Sequence, residues 1–150
     1  MPRSLWRRMR TEFLDEVESL TYGDVTDLSN FGGAMIDRTA YAKVVGALER
    51  ARDRESIEIA VGGGYDQWAG WVVRPTVLLT DDPGDEAMCT EYFGPVLSVY
   101  VYDDAEPDAW GRVLDLVDRG APYALTGSVI AEDRAAVEEA TAALRFAAGN

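Results

Sequence analysis

Over the first twenty positions apolar residues recur at three- and four-residue steps. Leu5, Trp6, Met9, Phe13, Val17 and Leu20 form one set, and Arg7, Arg8, Asp15 and Glu16 fall outside it. That period predicts an amphipathic helix, with Ser4 as its cap and Gly23 at its end. The stretch GDVTDLSNFGGAMID is rich in turn formers and reads as an irregular loop. Asp37 then caps a second helical run that carries Tyr41, Val44, Val45 and Leu48 on one side and fades near Arg54.

From Ile57 onward the period falls to that of strands. IEIAV is a short β-branched strand and GGGYDQWAG a turn region. WVVRPTVLL is a longer strand that Pro75 would confine to an edge or a bulge. VLSVYVYDD reads as a buried strand. Pro107 opens a helix bearing Trp110, Val113, Leu114 and Val117, closed by Gly120 and Pro122. LTGSVIAE is a further strand, and Asp133 caps a last helix with Val137, Ala140 and Leu144. Strand, helix, strand, helix in that order predicts βαβ connections and hence an α/β fold, a mostly parallel sheet flanked by helices. Ligands in such sheets gather in loops at strand ends, which directs attention to TEYFGP, residues 90–95, at the head of VLSVYVYDD.

Composition narrows the chemistry. The 150 residues suit one domain, and 27 acids against 14 bases give a net charge of -13, which disfavours nucleic acid and anionic lipid as partners. With no histidine and one cysteine, Cys89, the chain holds no Ser-His-Asp triad, no Cys/His zinc cluster and no internal disulfide. No metal site is expected. No apolar run reaches the ~18 residues of a membrane-spanning helix, and MPRSLWRRMR lacks the hydrophobic segment of a secretory signal, so a cytoplasmic, reducing setting is expected. Gly62, Gly63 and Gly64 lack the partners of a phosphate loop and read as a turn. Asp81, Asp82, Asp85 and Glu86 lack calcium-loop spacing and read as a solvated turn. Trp6, Trp68, Trp71 and Trp110 read as core or interface. Taken singly, Glu91 is a solvated acid before a strand, Phe93 a core aromatic and Lys43 a surface charge.

Several segments nevertheless carry a family likeness. TEYFGPVLSVYVYDD resembles the E-x-F-G-P segment of the aldehyde dehydrogenase superfamily, and GGGYDQWAGWVVRPTVLLTDDP resembles the G-[WY]-[FV]-x-x-P-T stretch before it. SLWRRMRTEFLDEV, GAMIDRTAYAKVVGALERA and YALTGSVIAEDRAAVEEATAALRFAAGN follow the same catalytic domain in order. Within the superfamily the chain is most similar to the Δ1-pyrroline-5-carboxylate dehydrogenases, which oxidise L-glutamate γ-semialdehyde to glutamate with NAD.

The resemblance implies cofactor roles. The glutamate matching Glu91 accepts hydrogen bonds from the nicotinamide ribose hydroxyls, and the phenylalanine matching Phe93 packs near the nicotinamide ring. Lys43 matches a position where some relatives carry a lysine close to that ribose, while Ala40 departs from a glutamine common nearby. The family's cysteine nucleophile would fall ahead of Met1, so Cys89 is not expected to act as one and no catalytic residue is expected in the chain. The aldehyde-anchoring loop would follow Asn150. The chain is therefore expected to be an internal part of the catalytic domain, inactive alone, whose partners are the remaining catalytic and dinucleotide-binding segments, an aldehyde substrate and further copies in a homo-oligomer. Two alternatives stay open on these residues: a non-catalytic α/β binding module, and an aldehyde dehydrogenase for another semialdehyde.

Overall fold

The computed structural model describes residues 1–68, 70–122 and 124–148. Ala69 of the GGGYDQWAG turn, and Gly149 and Asn150 of the terminal AAGN, lie outside them. Helix α1 spans Arg3–Ser19 and α2 Arg38–Arg52; strands β1 (Ile57–Val61), β4 (Thr76–Thr80) and β5 (Val96–Tyr100) form the main sheet. A two-stranded ribbon of β2 (Tyr65–Asp66) and β3 (Val72–Val73) is inserted between β1 and β4, and α3 (Glu86–Cys89), α4 (Ala109–Arg119) and α5 (Arg134–Ala143) complete the fold.

Strand β4 is buried throughout because it lies between the other two, in the order β1-β4-β5. Its side chains alternate between the two faces of the sheet. Leu78 enters the core beneath α2, with Tyr41, Val44, Ala47, Leu48 and Ala51; Val77 and Leu79 join Trp6 and Val99 beneath α1. Each fully buried Leu or Val contributes on the order of 1.5–3 kcal/mol. The sheet thus has a helix on each face, as the α/β class requires.

Several local expectations change. β4 pairs parallel with β5 but antiparallel with β1, so the sheet is mixed rather than mostly parallel. WVVRPTVLL is divided at Pro75, and its second half becomes the central strand, not an edge. Pro75 precedes the first residue of β4, where its missing N–H is harmless. LTGSVIAE forms no strand. No described strand supplies the neighbour its backbone would need, and Leu125 and Ile130 are 80% and 97% exposed.

Ser4 does not cap α1 with its own side chain. Helix α1 begins two residues earlier than a Ser4 cap would place it, at Arg3, and its first turn is held from a distance: the Ser4 N–H donates to Asp104 Oδ1 at 3.0 Å, Ser4 Oγ donates to the other oxygen, and Arg3 pairs with Asp103. An acid pair at a helix start also opposes the helix dipole favourably. The helix ends at Ser19 rather than at Gly23. By contrast Asp37 and Asp133 cap α2 and α5 as expected, accepting from Ala40 N–H and Ala135 N–H, each at 2.8 Å.

Candidate functional site

TEYFGP runs from the end of α3 to the start of β5, and α2 shapes most of it. Its course begins at Asp85, whose Oδ1 accepts the Ala87 N–H at 2.8 Å and so starts the single turn of α3. The Thr90 N–H closes that turn on the Glu86 carbonyl at 2.9 Å. Glu91, Tyr92 and Phe93 then alternate in exposure. Glu91 and Phe93 face outward, and Tyr92 is buried in the core beneath α2. Burial, reinforced by the Glu86 charge, pushes the Tyr92 phenol up to about 12.

Two contacts fix the segment against α2. Lys43 Nζ donates to the backbone oxygen of Glu91 at 2.6 Å. At Gly94 the chain passes so near α2 that a Cβ would stand 2.7 Å from Val44 Cγ2, and only glycine leaves that space. Beyond it, the Pro95 carbonyl accepts the Thr76 N–H at 2.9 Å and joins the segment to β4.

Phe93 sits at φ 57° and is 80% exposed. A non-glycine residue in the left-handed region costs on the order of 1–2 kcal/mol, and an outward-facing aromatic ring recovers little of that by packing. Such an outlier is a pointer to function. Glu91 lines a cleft of about 460 Å³ with Met88, Cys89, Thr90, Ala121 and Leu125. The three residues singled out in the sequence therefore gather along one short path, Lys43 beside the Glu91 backbone and Phe93 two positions on.

An ionised carboxylate offers only acceptors and suits a vicinal diol, an exposed ring suits a planar heterocycle, and a pinned carbonyl holds the carboxylate's backbone still. Cys89 is half-buried, its sulfur 3.8 Å from the Gly84 carbonyl and 4.0 Å from that of Pro83.

Beneath the segment lies a group of charges, two of which, Asp85 and Glu86, depart from the solvated turn expected of them. Asp81 and Asp82 are exposed, as a solvated turn requires, but Asp85 is 6% exposed and Glu86 half-buried. Arg54 Nη1 meets Asp85 Oδ2 at 2.8 Å, and Ser56 Oγ donates to the same oxygen at 3.3 Å. Arg50 grips Glu86 with Nη2 to Oε1 at 2.6 Å and Nε to Oε2 at 3.0 Å. Burial alone would raise the Asp85 carboxyl, but the Ala87 N–H and the Arg54 guanidinium outweigh it and hold it below its ordinary value. The bond to Arg50 lowers Glu86 likewise, against the opposing effect of burial. The available signal was Asp85 ahead of EAMC, a cap pattern, together with arginines at positions 50 and 54 on the last turn of α2 and just beyond it.

Residues 1–150 match the family model described as "Aldehyde dehydrogenase family". The chain is 42% identical over 151 residues to "Delta-1-pyrroline-5-carboxylate dehydrogenase, mitochondrial" of Danio rerio, covering 100% of this chain and 27% of that protein. The protein of the same name in Dictyostelium discoideum is 39% identical over 150 residues, with 100% and 26% covered. Among solved structures, the Delta-pyrroline-5-carboxylate dehydrogenase of Mycobacterium tuberculosis bound with NAD superposes with a TM-score of 0.89 at 53% identity, covering 99% of this chain and 26% of that one. The chain spans about a quarter of the length of these relatives.

Proposed function

The chain belongs to the aldehyde dehydrogenase family, and from that premise we propose that it is an internal part of the catalytic domain of an NAD-dependent L-glutamate γ-semialdehyde dehydrogenase. The observation that carries the reading is TEYFGP itself: an outward carboxylate and a strained, exposed ring on a backbone held by α2. NAD, when bound, accepts the hydride that leaves the substrate as aldehyde and water become carboxylate.

Glu91 would hold the nicotinamide ribose through its two hydroxyl groups, fixing the nicotinamide's position and leaving Phe93 to limit its tilt and exclude water. Hydride transfer needs this placement, because a shift of about 1 Å in the reacting geometry can cost on the order of a hundredfold in rate. Lys43 carries three donors, so holding the Glu91 carbonyl leaves capacity for a ribose oxygen. No bond-making role falls to these residues; they bind and orient. The nucleophile and the aldehyde anchor would belong to other segments of the complete enzyme, which makes the 150 residues inactive alone.

Among the described residues no helix is long and apolar enough to cross a membrane. We place the complete enzyme in the cytoplasm, since Cys89, the one cysteine of these 150 residues, fits a reducing compartment, and read it as a homo-oligomer. Fractionation and light scattering test these two points.

The functional test is the Glu91→Gln variant of the complete enzyme. Losing charge-assisted acceptance should slow hydride transfer by about ten- to a hundredfold, equivalent to ~1.4–2.7 kcal/mol, and leave the later acyl-enzyme hydrolysis near its original rate. Pre-steady-state NADH formation with L-glutamate γ-semialdehyde isolates that step. An unchanged burst together with unchanged NAD affinity would remove TEYFGP from the cofactor site.

A further inference from the structure

Helix α2 touches the segment at two places along its length. Lys43 and Arg50 are seven residues apart, two helical turns and ~10.5 Å of rise, and so project from the same face. Lys43 holds the Glu91 carbonyl, while Arg50, with Arg54 just past the helix end, holds Glu86 and Asp85. Between these grips lies only the α3 turn, closed from Thr90 N–H to the Glu86 carbonyl. The rigid helix therefore fixes the distance over which that turn must lead into Glu91.

The charges are costly enough to need a reason. Asp85 is buried, and a buried ion pair is seldom a net gain over apolar packing, although breaking one is strongly unfavourable. Its best-attested use is to fix a register. Asp85 spends one oxygen on the α3 cap and the other on Arg54 and Ser56, so the start of the turn and the end of α2 are tied through a single carboxylate.

We propose that Arg50, Arg54, Asp85 and Glu86 form a positioning device that sets the place of Glu91, and through it the placement of the nicotinamide ribose. The four residues act through Glu91 and touch neither cofactor nor substrate. The inference rests on the reading of TEYFGP as part of the cofactor site, and its test separates the two.

The test uses the complete enzyme with Asp85→Asn, which keeps an oxygen for the Ala87 N–H but loses the charge, and with Glu86→Gln. NAD affinity is read by fluorescence titration, hydride transfer by stopped flow, and amide exchange over residues 86–95 in the cofactor-free protein by mass spectrometry. The expected result is NAD affinity or hydride transfer down on the order of tenfold, faster exchange over 86–95, and an unchanged KM for the aldehyde. Each variant is then combined with Glu91→Gln. If the network acts through Glu91, its effect shrinks in that background; independent effects would multiply.

Three results are adverse. A lowered unfolding temperature with unchanged NAD affinity and unchanged hydride transfer overturns the proposal and leaves a merely structural pair. Multiplying effects in the double variants overturn it while sparing the cofactor reading. A Glu91→Gln variant without effect overturns the cofactor reading, and the positioning role with it. Should Asp85→Asn yield no folded enzyme, Glu86→Gln, on the more exposed side of the network, decides by the same measurements.

Discussion

Lys43 Nζ and the backbone oxygen of Glu91 stand 2.6 Å apart, although 48 residues separate them in sequence. The contact ties the outward-facing segment to a helix whose adjoining face, with Val44, Ala47 and Leu48, is in the core. It is exposed, so its share of global stability is small, about 0.5–1 kcal/mol at most. Its effect should be local. Lys43→Met is expected to leave the unfolding midpoint within a few degrees, to speed amide exchange at residues 90–93, and to weaken NAD binding several-fold in the complete enzyme. Lys43→Arg should restore part of each. Isothermal titration beside hydrogen exchange reads both, and a lowered midpoint with unaltered exchange at 90–93 would contradict the local role.

Gly94 yields a steric prediction. A methyl group there would lie 2.7 Å from Val44 Cγ2 and 3.3 Å from Met35 Cε, and Val44 has no exposed surface through which to move. Overpacking of this kind costs about 1–3 kcal/mol. Gly94→Ala should lower the denaturant midpoint accordingly, and pairing it with Val44→Ala should recover part of the loss. A Gly94→Ala variant as stable as the parent would mean that α2 and the segment separate freely.

Local signals were legible where the determining residues are neighbours in sequence. The face of Trp6, Met9, Phe13 and Val17, the caps Asp37 and Asp133, and the turn at Gly62 and Gly63, both with positive φ, all follow from spacing or residue type. Readings failed where a distant partner decides. Asp104 occupies the position expected of Ser4, β4 is central because β1 and β5 flank it, and Asp85 is buried because Arg54 lies 31 residues earlier. The same division runs through the site. Glu91 and Phe93 could be singled out from a motif, whereas the left-handed backbone of Phe93 and the charges beneath it depend on three-dimensional neighbours.

Those charges predict a pH dependence. Asp85 and Glu86 are both held below their ordinary values of 3.8 and 4.5. A carboxylate lowered on folding contributes stability that is present above its unfolded value and lost as pH falls through the folded one. Stability should thus decline from about pH 4.5 downward and continue to fall below 3.8. Thermal unfolding between pH 7 and pH 3 is the measurement. Asp85→Asn should start lower at pH 7 and show a shallower acid slope, since the missing carboxylate has no proton to gain. Parallel slopes would assign the acid sensitivity to other carboxylates.

Phe93 allows stability and function to be driven in opposite directions. Its backbone is at φ 57°, where glycine is unstrained and any other residue carries a cost, and its ring is 80% exposed, so little burial is lost with it. Phe93→Gly should therefore raise stability by up to about 1 kcal/mol, the relief of strain being offset partly by the greater freedom of glycine in the unfolded chain. Phe93→Ala keeps the strain and should leave stability nearly unchanged. Both variants remove the ring that would restrict the nicotinamide, so both should slow hydride transfer in the complete enzyme by about tenfold. Chemical denaturation and stopped-flow NADH formation on the same preparations give the two readouts. A more stable Phe93→Gly enzyme with slower hydride transfer is the signature of strain held for cofactor placement; equal loss of stability in both variants would instead make Phe93 an ordinary packing residue.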